Sequence, residues 1–169
     1  IFFFLFFPEL NSVNDRPTFT AANPPAVNED AVAQSLTGWV TAFNPGPNEA
    51  TQVVSNYTVS GISNASQFAV APSVAANGTL TYTPAANVHG TSTFDVTVTD
   101  NGGVANGGIA TSLVQTFTIT VNSVNDVPNF TVGTGPTVNE DAPAQTVSGF
   151  MTGISAGPSN ESSQTLTFN

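Results

Sequence analysis

Thr93-Phe94-Asp95-Val96-Thr97-Val98-Thr99 alternates polar and apolar side chains with a period of two. Successive side chains of a strand point to opposite faces, so Phe94, Val96 and Val98 line one face and the Thr and Asp residues line the other. The same pattern returns where Leu80 and Tyr82 alternate with Thr79, Thr81 and Thr83, and where Phe117, Ile119 and Val121 alternate with Thr116, Thr118 and Thr120. Threonine is β-branched and stays solvated, so each segment is a half-buried antiparallel strand with one wet face. Weaker strands are expected near residues 18–21, 26–28, 34–41, 52–60 and 68–71. Asn77-Gly78, Asn101-Gly102-Gly103 and Asn106-Gly107-Gly108 supply turns that tolerate positive φ. No helix is predicted. Seven or so one-sided strands are buried most economically as two sheets packed face to face, an all-β antiparallel sandwich.

The sandwich repeats. Asn11-Ser-Val-Asn14-Asp15-Arg16-Pro17-Thr-Phe19 returns as Asn122-Ser-Val-Asn125-Asp126-Val127-Pro128-Asn-Phe130, and Val27-Asn-Glu29-Asp30-Ala31 returns as Val138-Asn-Glu140-Asp141-Ala142. Asp15 and Asp126 stand 111 residues apart, the size of a whole sandwich domain and well above solenoid periods. The copies stay aligned through Gly46-Pro47 and Gly157-Pro158, then slip by one residue, so that Asn48-Glu49 answers Asn160-Glu161 and Gln52 answers Gln164. An insertion there marks a surface loop. The expected organisation is residues 1–15 as the end strand and linker of a preceding repeat, 16–126 as a complete repeat, and 127–169 as the first part of the next.

Eleven acidic residues against a single Arg and no Lys give a net charge of −10. Such a chain repels DNA, RNA and anionic headgroups, and its natural small partners are cations. With no cysteine, neither disulfides nor thiolate metals support the fold. Five Asn-x-Ser/Thr triplets begin at Asn56, Asn64, Asn77, Asn129 and Asn160, but a chain this rich in Asn, Ser and Thr produces such triplets by chance. The opening Ile1-Phe-Phe-Phe-Leu-Phe-Phe7 breaks the Thr alternation. It is open to three readings: the last strand of a preceding repeat, the end of a signal-peptide apolar region, or a stretch that does not record the natural sequence well. Its seven apolar residues are too few for a membrane span.

The junction motif resembles that of the cadherin-like repeats of large bacterial surface proteins and adhesins. In that family the junction reads Asp-x-Asn-Asp-Asn-x-Pro-x-Phe, against Asn122-Ser-Val-Asn125-Asp126-Val-Pro128-Asn-Phe130 here. The family's Glu near the first strand matches Glu29 and Glu140, and its Asp-x-Gly after the penultimate strand matches Asp100-Asn-Gly102. The resemblance implies an Ig-like Greek-key sandwich and calcium at the junctions. The ligands would be Glu29, Asn122, Asn125 and Asp126 at one junction, with only backbone and Ser155 from the next repeat, and Asn11, Asn14, Asp15 and Asp100 at the other. Calcium takes six to eight hard oxygens, so Asn side chains and carbonyls qualify beside carboxylates. The Asp-x-Asp expected after the second strand falls on Asn44-Pro-Gly46 and Ser155-Ala-Gly157, and no Asp-Arg-Glu occurs. The competing reading is that Asn and Asp before Pro simply form the inter-domain turn.

Trp39 is the sole tryptophan and aligns with Phe150, which points to a core anchor rather than a sugar-stacking platform. His89, in Asn87-Val-His-Gly90, reads as a solvated turn residue. One His, no Lys and no Cys leave a nucleophile only His89 as base, and no nucleophile elbow or phosphate loop accompanies it, so no enzyme is expected. The expected role is mechanical: a spacer and stiffener in an extracellular, cell-surface or secreted bacterial adhesin. Its partners would be neighbouring repeats or copies of itself, with a cell-surface or matrix ligand for the whole. Two alternatives are a filament subunit joined by strand complementation and a glycan-binding accessory module.

Overall fold

The computed structural model describes residues 12–169. The apolar opening segment and Asn11 lie outside them. Eleven strands and three single 3-10 turns make up the described chain, with no longer helix. The front sheet runs β2 (Val27–Asn28), β9 (Gln115–Asn122), β8 (Gly90–Asp100), β5 (Val54–Ser60). The back layer holds β3 (Gln34–Leu36), β7 (Leu80–Pro84) and β6 (Phe68–Val74), with β1 (Thr18–Thr20) paired to β4 (Ala42–Asn44). This is the Ig-like sandwich that the alternation and the resemblance predict.

The Thr segments behave as the pattern requires. β8 and β9 are antiparallel, with Phe94 opposite Phe117 and Ser92 opposite Ile119. Phe94, Val96, Val98, Phe117, Ile119, Val121, Leu80 and Tyr82 are all buried. Each buried side chain of this size contributes about 1.5–3 kcal/mol over exposure, and Phe19, Trp39, Tyr57, Phe68 and Val74 complete the core around these eight. The first described strand, β1, lies in the back layer, and the chain then crosses to the front through Pro24-Pro25, where β2 joins β9 in parallel, Val27 against Val121. That crossover brings Glu29 to the end of β9, at the foot of the domain.

The expected strand over residues 34–41 is broken. Trp39 N–H turns back to the Leu36 carbonyl at 3.3 Å, Val40 N–H donates to Gly78 and Thr41 N–H donates to Thr20. β3 and β4 are therefore two stretches of one path, the first paired with β7 and the second with β1. The break swings the Trp39 ring inward, 4.8 Å from the Phe117 ring and 6.0 Å from the Phe94 ring, while its Nε1–H donates to the Ala22 carbonyl at 2.7 Å. Trp39 thus anchors the core from an interruption of the strand rather than from within it. Two other ends differ as well: β5 begins at Val54, and β6 runs on to Val74 through two register shifts.

Beyond Asp126, β10 (Asn129–Val132) pairs with β11 (Met151–Ser155) as β1 pairs with β4. Asn129 faces Ser155 just as Thr18 faces Asn44, each residue 111 positions after its counterpart. Packing distinguishes the two copies. Phe19 is 5% exposed beneath Tyr57 and Phe117, whereas Phe130 is 49% exposed and, among the described aromatic rings, meets only Phe168.

Candidate functional site

Each end of the complete sandwich carries a polar cluster built around the linker that enters or leaves it. At the upper end, Asn14 is 8% exposed and donates from Nδ2 to Asp100 Oδ1 at 3.0 Å. Asp100, itself 3% exposed at the end of β8, also accepts the Gly102 N–H at 3.0 Å. The Asn14 and Gln52 side chains crowd the space above Gly102, which a Cβ at that position would fill. The Asn14 carbonyl accepts Ile109 N–H at 2.9 Å, so the β8–β9 loop grips the linker from the other side. The Asp15 backbone N–H is held by both oxygens of Glu49, at 3.0 and 3.2 Å. Glu49 is 5% exposed.

The lower end repeats the device with the next copy. The Asp126 N–H donates to Glu161 Oε1 at 2.8 Å, and Glu161 is 3% exposed. Gly157 leaves room for the Glu161 carboxylate and Asp126, as Gly46 does for Glu49 and Asp15. Glu29, 3% exposed, spans the two repeats: Oε1 accepts the Val124 N–H at 2.8 Å and Oε2 accepts Asn160 Nδ2 at 3.1 Å. His89 Nδ1 stands 3.7 Å from Glu29 Oε2, so the turn that carries it reaches the junction. Hydrogen bonds from backbone N–H to an ionised carboxylate are worth about 1.5–3 kcal/mol each, enough to set the path of a short linker.

Burial and crowding push the Asp126 carboxyl up from the ordinary range. Loss of solvation comes first among the causes, followed by the negative charges of Glu161, Asp30 and Glu29. Asp30 is fixed nearby with φ 62 and an Asn87 N–H on its Oδ1 at 2.9 Å. Both clusters also contain buried oxygens with no donor among the described residues. At the upper end these are Asp100 Oδ2, Asn14 Oδ1 and Gln52 Oε1; at the lower end, Asp126 Oδ2, Glu161 Oε2 and Asn160 Oδ1. Buried acceptors without partners are uncommon and call for water or an ion. Every one of these six atoms is a hard oxygen of the kind that calcium or magnesium binds. Among the described residues no group of three or more His, Cys, Asp and Glu side chains gathers as a metal cluster by itself, so amide oxygens would have to complete either set.

The geometry sorts the residues nominated from sequence. Asn14 meets Asp100, and Glu29 joins the Asp126 linker. Asp15 contributes its backbone N–H while its residue is exposed. Asn125 spends its Nδ2 on the Asp126 carbonyl at 2.9 Å, the turn-type bond of the competing reading. Asn122 is exposed and offers the junction its backbone carbonyl, which accepts Glu29 N–H at 2.9 Å. Ser155 turns its hydroxyl to its own loop, donating to the Gly157 carbonyl at 2.7 Å. The contribution of the next repeat is therefore Asn160 and Glu161, not Ser155. Sequence reasoning missed Glu49, Gln52, Asn160 and Glu161. The signal was present, because the Asn-Glu pair survives the one-residue insertion in both copies, as a pair held by geometry would.

The family model described as bacterial Ig domain matches residues 14–122, from the buried Asn14 to the last residue of β9. No curated protein and no solved structure matches the chain.

Proposed function

This chain belongs to the bacterial Ig domain family, and from that premise we propose that it works as a spacer and stiffener within an extracellular, surface-attached protein of the adhesin type. The repeat unit is residues 16–126, with residues 127–169 opening the next. The observation that carries the reading is the buried junction, in which Glu29, Asn160, Glu161 and the Val124 and Asp126 amides tie one repeat to the next. A linker whose amides are fixed by buried carboxylates has little freedom to bend, and Pro128 restricts it further. No helix among the described residues is long and apolar enough to cross a membrane.

Calcium is the proposed stiffener. Asp126, Glu161 and Asn160, with Glu29 beside them, would hold it at the lower junction, and Asp100, Asn14 and Gln52 at the upper. Bound there, a divalent cation supplies donor-free oxygens with a partner and offsets carboxylate repulsion. Calorimetric titration of calcium into the chain, read alongside amide exchange at Val124 and Asp126, tests this. Heat with slowed exchange supports it. Neither effect at millimolar calcium leaves the clusters as hydrogen-bonded turns.

A second reading is assembly by strand complementation. In it the chain is a filament subunit with an exposed strand edge that receives a strand from another molecule. Sedimentation of the purified chain separates the two, since only the filament subunit assembles with concentration. A glycan-binding module finds no support in Trp39, which is 7% exposed.

A further inference from the structure

The chain contains three Asn-Gly pairs, Asn77-Gly78, Asn101-Gly102 and Asn106-Gly107, and the fold treats them differently. An Asn-Gly pair deamidates without a catalyst. The backbone nitrogen of the glycine attacks the asparagine side-chain carbonyl carbon, a C–N bond forms, and the side-chain amide leaves as ammonia, carrying off the glycine's amide proton. Water then opens the cyclic succinimide to aspartate or isoaspartate. Nothing is oxidised or reduced. The attack needs a side chain free to turn onto the following amide, so hydrogen bonds that fix both groups suppress it.

Two pairs are fixed in this way. Asn77 Oδ1 accepts Thr79 N–H at 3.1 Å, and Gly78 N–H donates to Ala75 at 2.8 Å while Gly78 itself lies buried against Val40. Asn101 Oδ1 accepts Val53 N–H at 2.9 Å, and Gly102 N–H donates to Asp100 Oδ1 at 3.0 Å. Asn106 differs at its side chain and in the space around the pair. It is exposed with φ 56 in a single 3-10 turn, its side chain makes no hydrogen bond among the described residues, and nothing lies within 4 Å of where a Gly107 Cβ would stand.

We propose that Asn106 is a site of spontaneous deamidation in the folded protein, and that its conversion loosens the upper junction. The second half rests on the spacer reading; the first does not. Two residues on, Gly108 packs against Asn14, so close that a Cβ there would meet the Asn14 Cβ at 2.9 Å, and Ile109 N–H holds the Asn14 carbonyl at 2.9 Å. Isoaspartate at 106 lengthens the main chain by one atom beside this grip and adds a negative charge to a chain already at −10.

The test ages the full chain in mildly alkaline buffer and follows each Asn-Gly pair by peptide mass mapping and isoaspartate-specific methylation. In the folded chain Asn106 converts severalfold faster than Asn77 and Asn101. In denaturant the three rates converge, because the chemistry of the pairs is then alike. Equal rates in the folded chain, or conversion at Asn77 or Asn101 first, overturn the proposal. For the junction, exchange at the Ile109 amide rises in step with conversion and stays constant in aged Asn106→Gln. Conversion at Asn106 with unchanged Ile109 protection overturns the coupling while leaving the site itself standing.

Discussion

Replacing Trp39 by alanine separates a structural role from a ligand-binding one. The ring is 7% exposed, meets Phe117 edge-on at 4.8 Å and lies 6.0 Å from Phe94. Truncating a buried Phe or Trp to Ala costs about 3–5 kcal/mol, because apolar burial is lost and a cavity remains. The lost Nε1–H bond to Ala22 adds little, since Ala22 is exposed and water satisfies its carbonyl. The expected loss is about 4 kcal/mol, a large share of the roughly 5–15 kcal/mol that holds a domain together. At a urea slope of about 2 kcal/mol per molar, the midpoint falls by about 2 M. Far-UV circular dichroism is the suitable probe, because removing the sole tryptophan removes its fluorescence. Trp39→Phe keeps most of the packing and falls by less than half as much. A midpoint shift below about 0.5 M for Trp39→Ala would refute the assignment of Trp39 to the core and return it to the surface as a platform.

The junction yields three more expectations. Gly46→Ala places a methyl at φ 134 against Asp15 Cβ and Glu49 Oε2, both 2.6 Å away, and should destabilise by about 1–3 kcal/mol in thermal melts, whereas Gly103→Ala meets open space and shows strain alone. Asp126 titrates above the ordinary Asp range, so the folded junction binds its proton more tightly than the unfolded chain does. That contribution is fully present below the unfolded value and is lost as pH rises through the elevated one. Carboxyl-carbon NMR of Asp126 should show the raised midpoint, with Val124 exchange slowing on mild acidification; a midpoint at the ordinary value removes the prediction. Glu161→Gln deletes the nearest negative charge, so the Asp126 midpoint should drop while the far-UV spectrum stays unchanged. Thr116→Val, on the solvated face where Thr116 Oγ1 donates to Asp95, should move stability by no more than about 0.5 kcal/mol in urea unfolding.

The all-β class, most of the core and the spacing of the recurring motif are legible in local sequence. The period-two alternation of Thr with Phe, Val and Ile is a local signal, and which face of a strand is buried follows from it without knowledge of any partner. The recurrence of Asn-Asp-x-Pro-x-Phe likewise needs no coordinates. Where the strand around Trp39 breaks is a long-range matter, because the break answers to Gly78 and Thr20, which are distant in sequence. So is the membership of the junction clusters. Glu49 and Glu161 look like solvated loop acids in sequence, and Asn122 looks as good a ligand as Asn14. Folding buries the two glutamates because the linker amides of Asp15 and Asp126 are brought to them from 34 and 35 residues away. Burial of a charge depends on what the rest of the chain places beside it, and no local pattern records that.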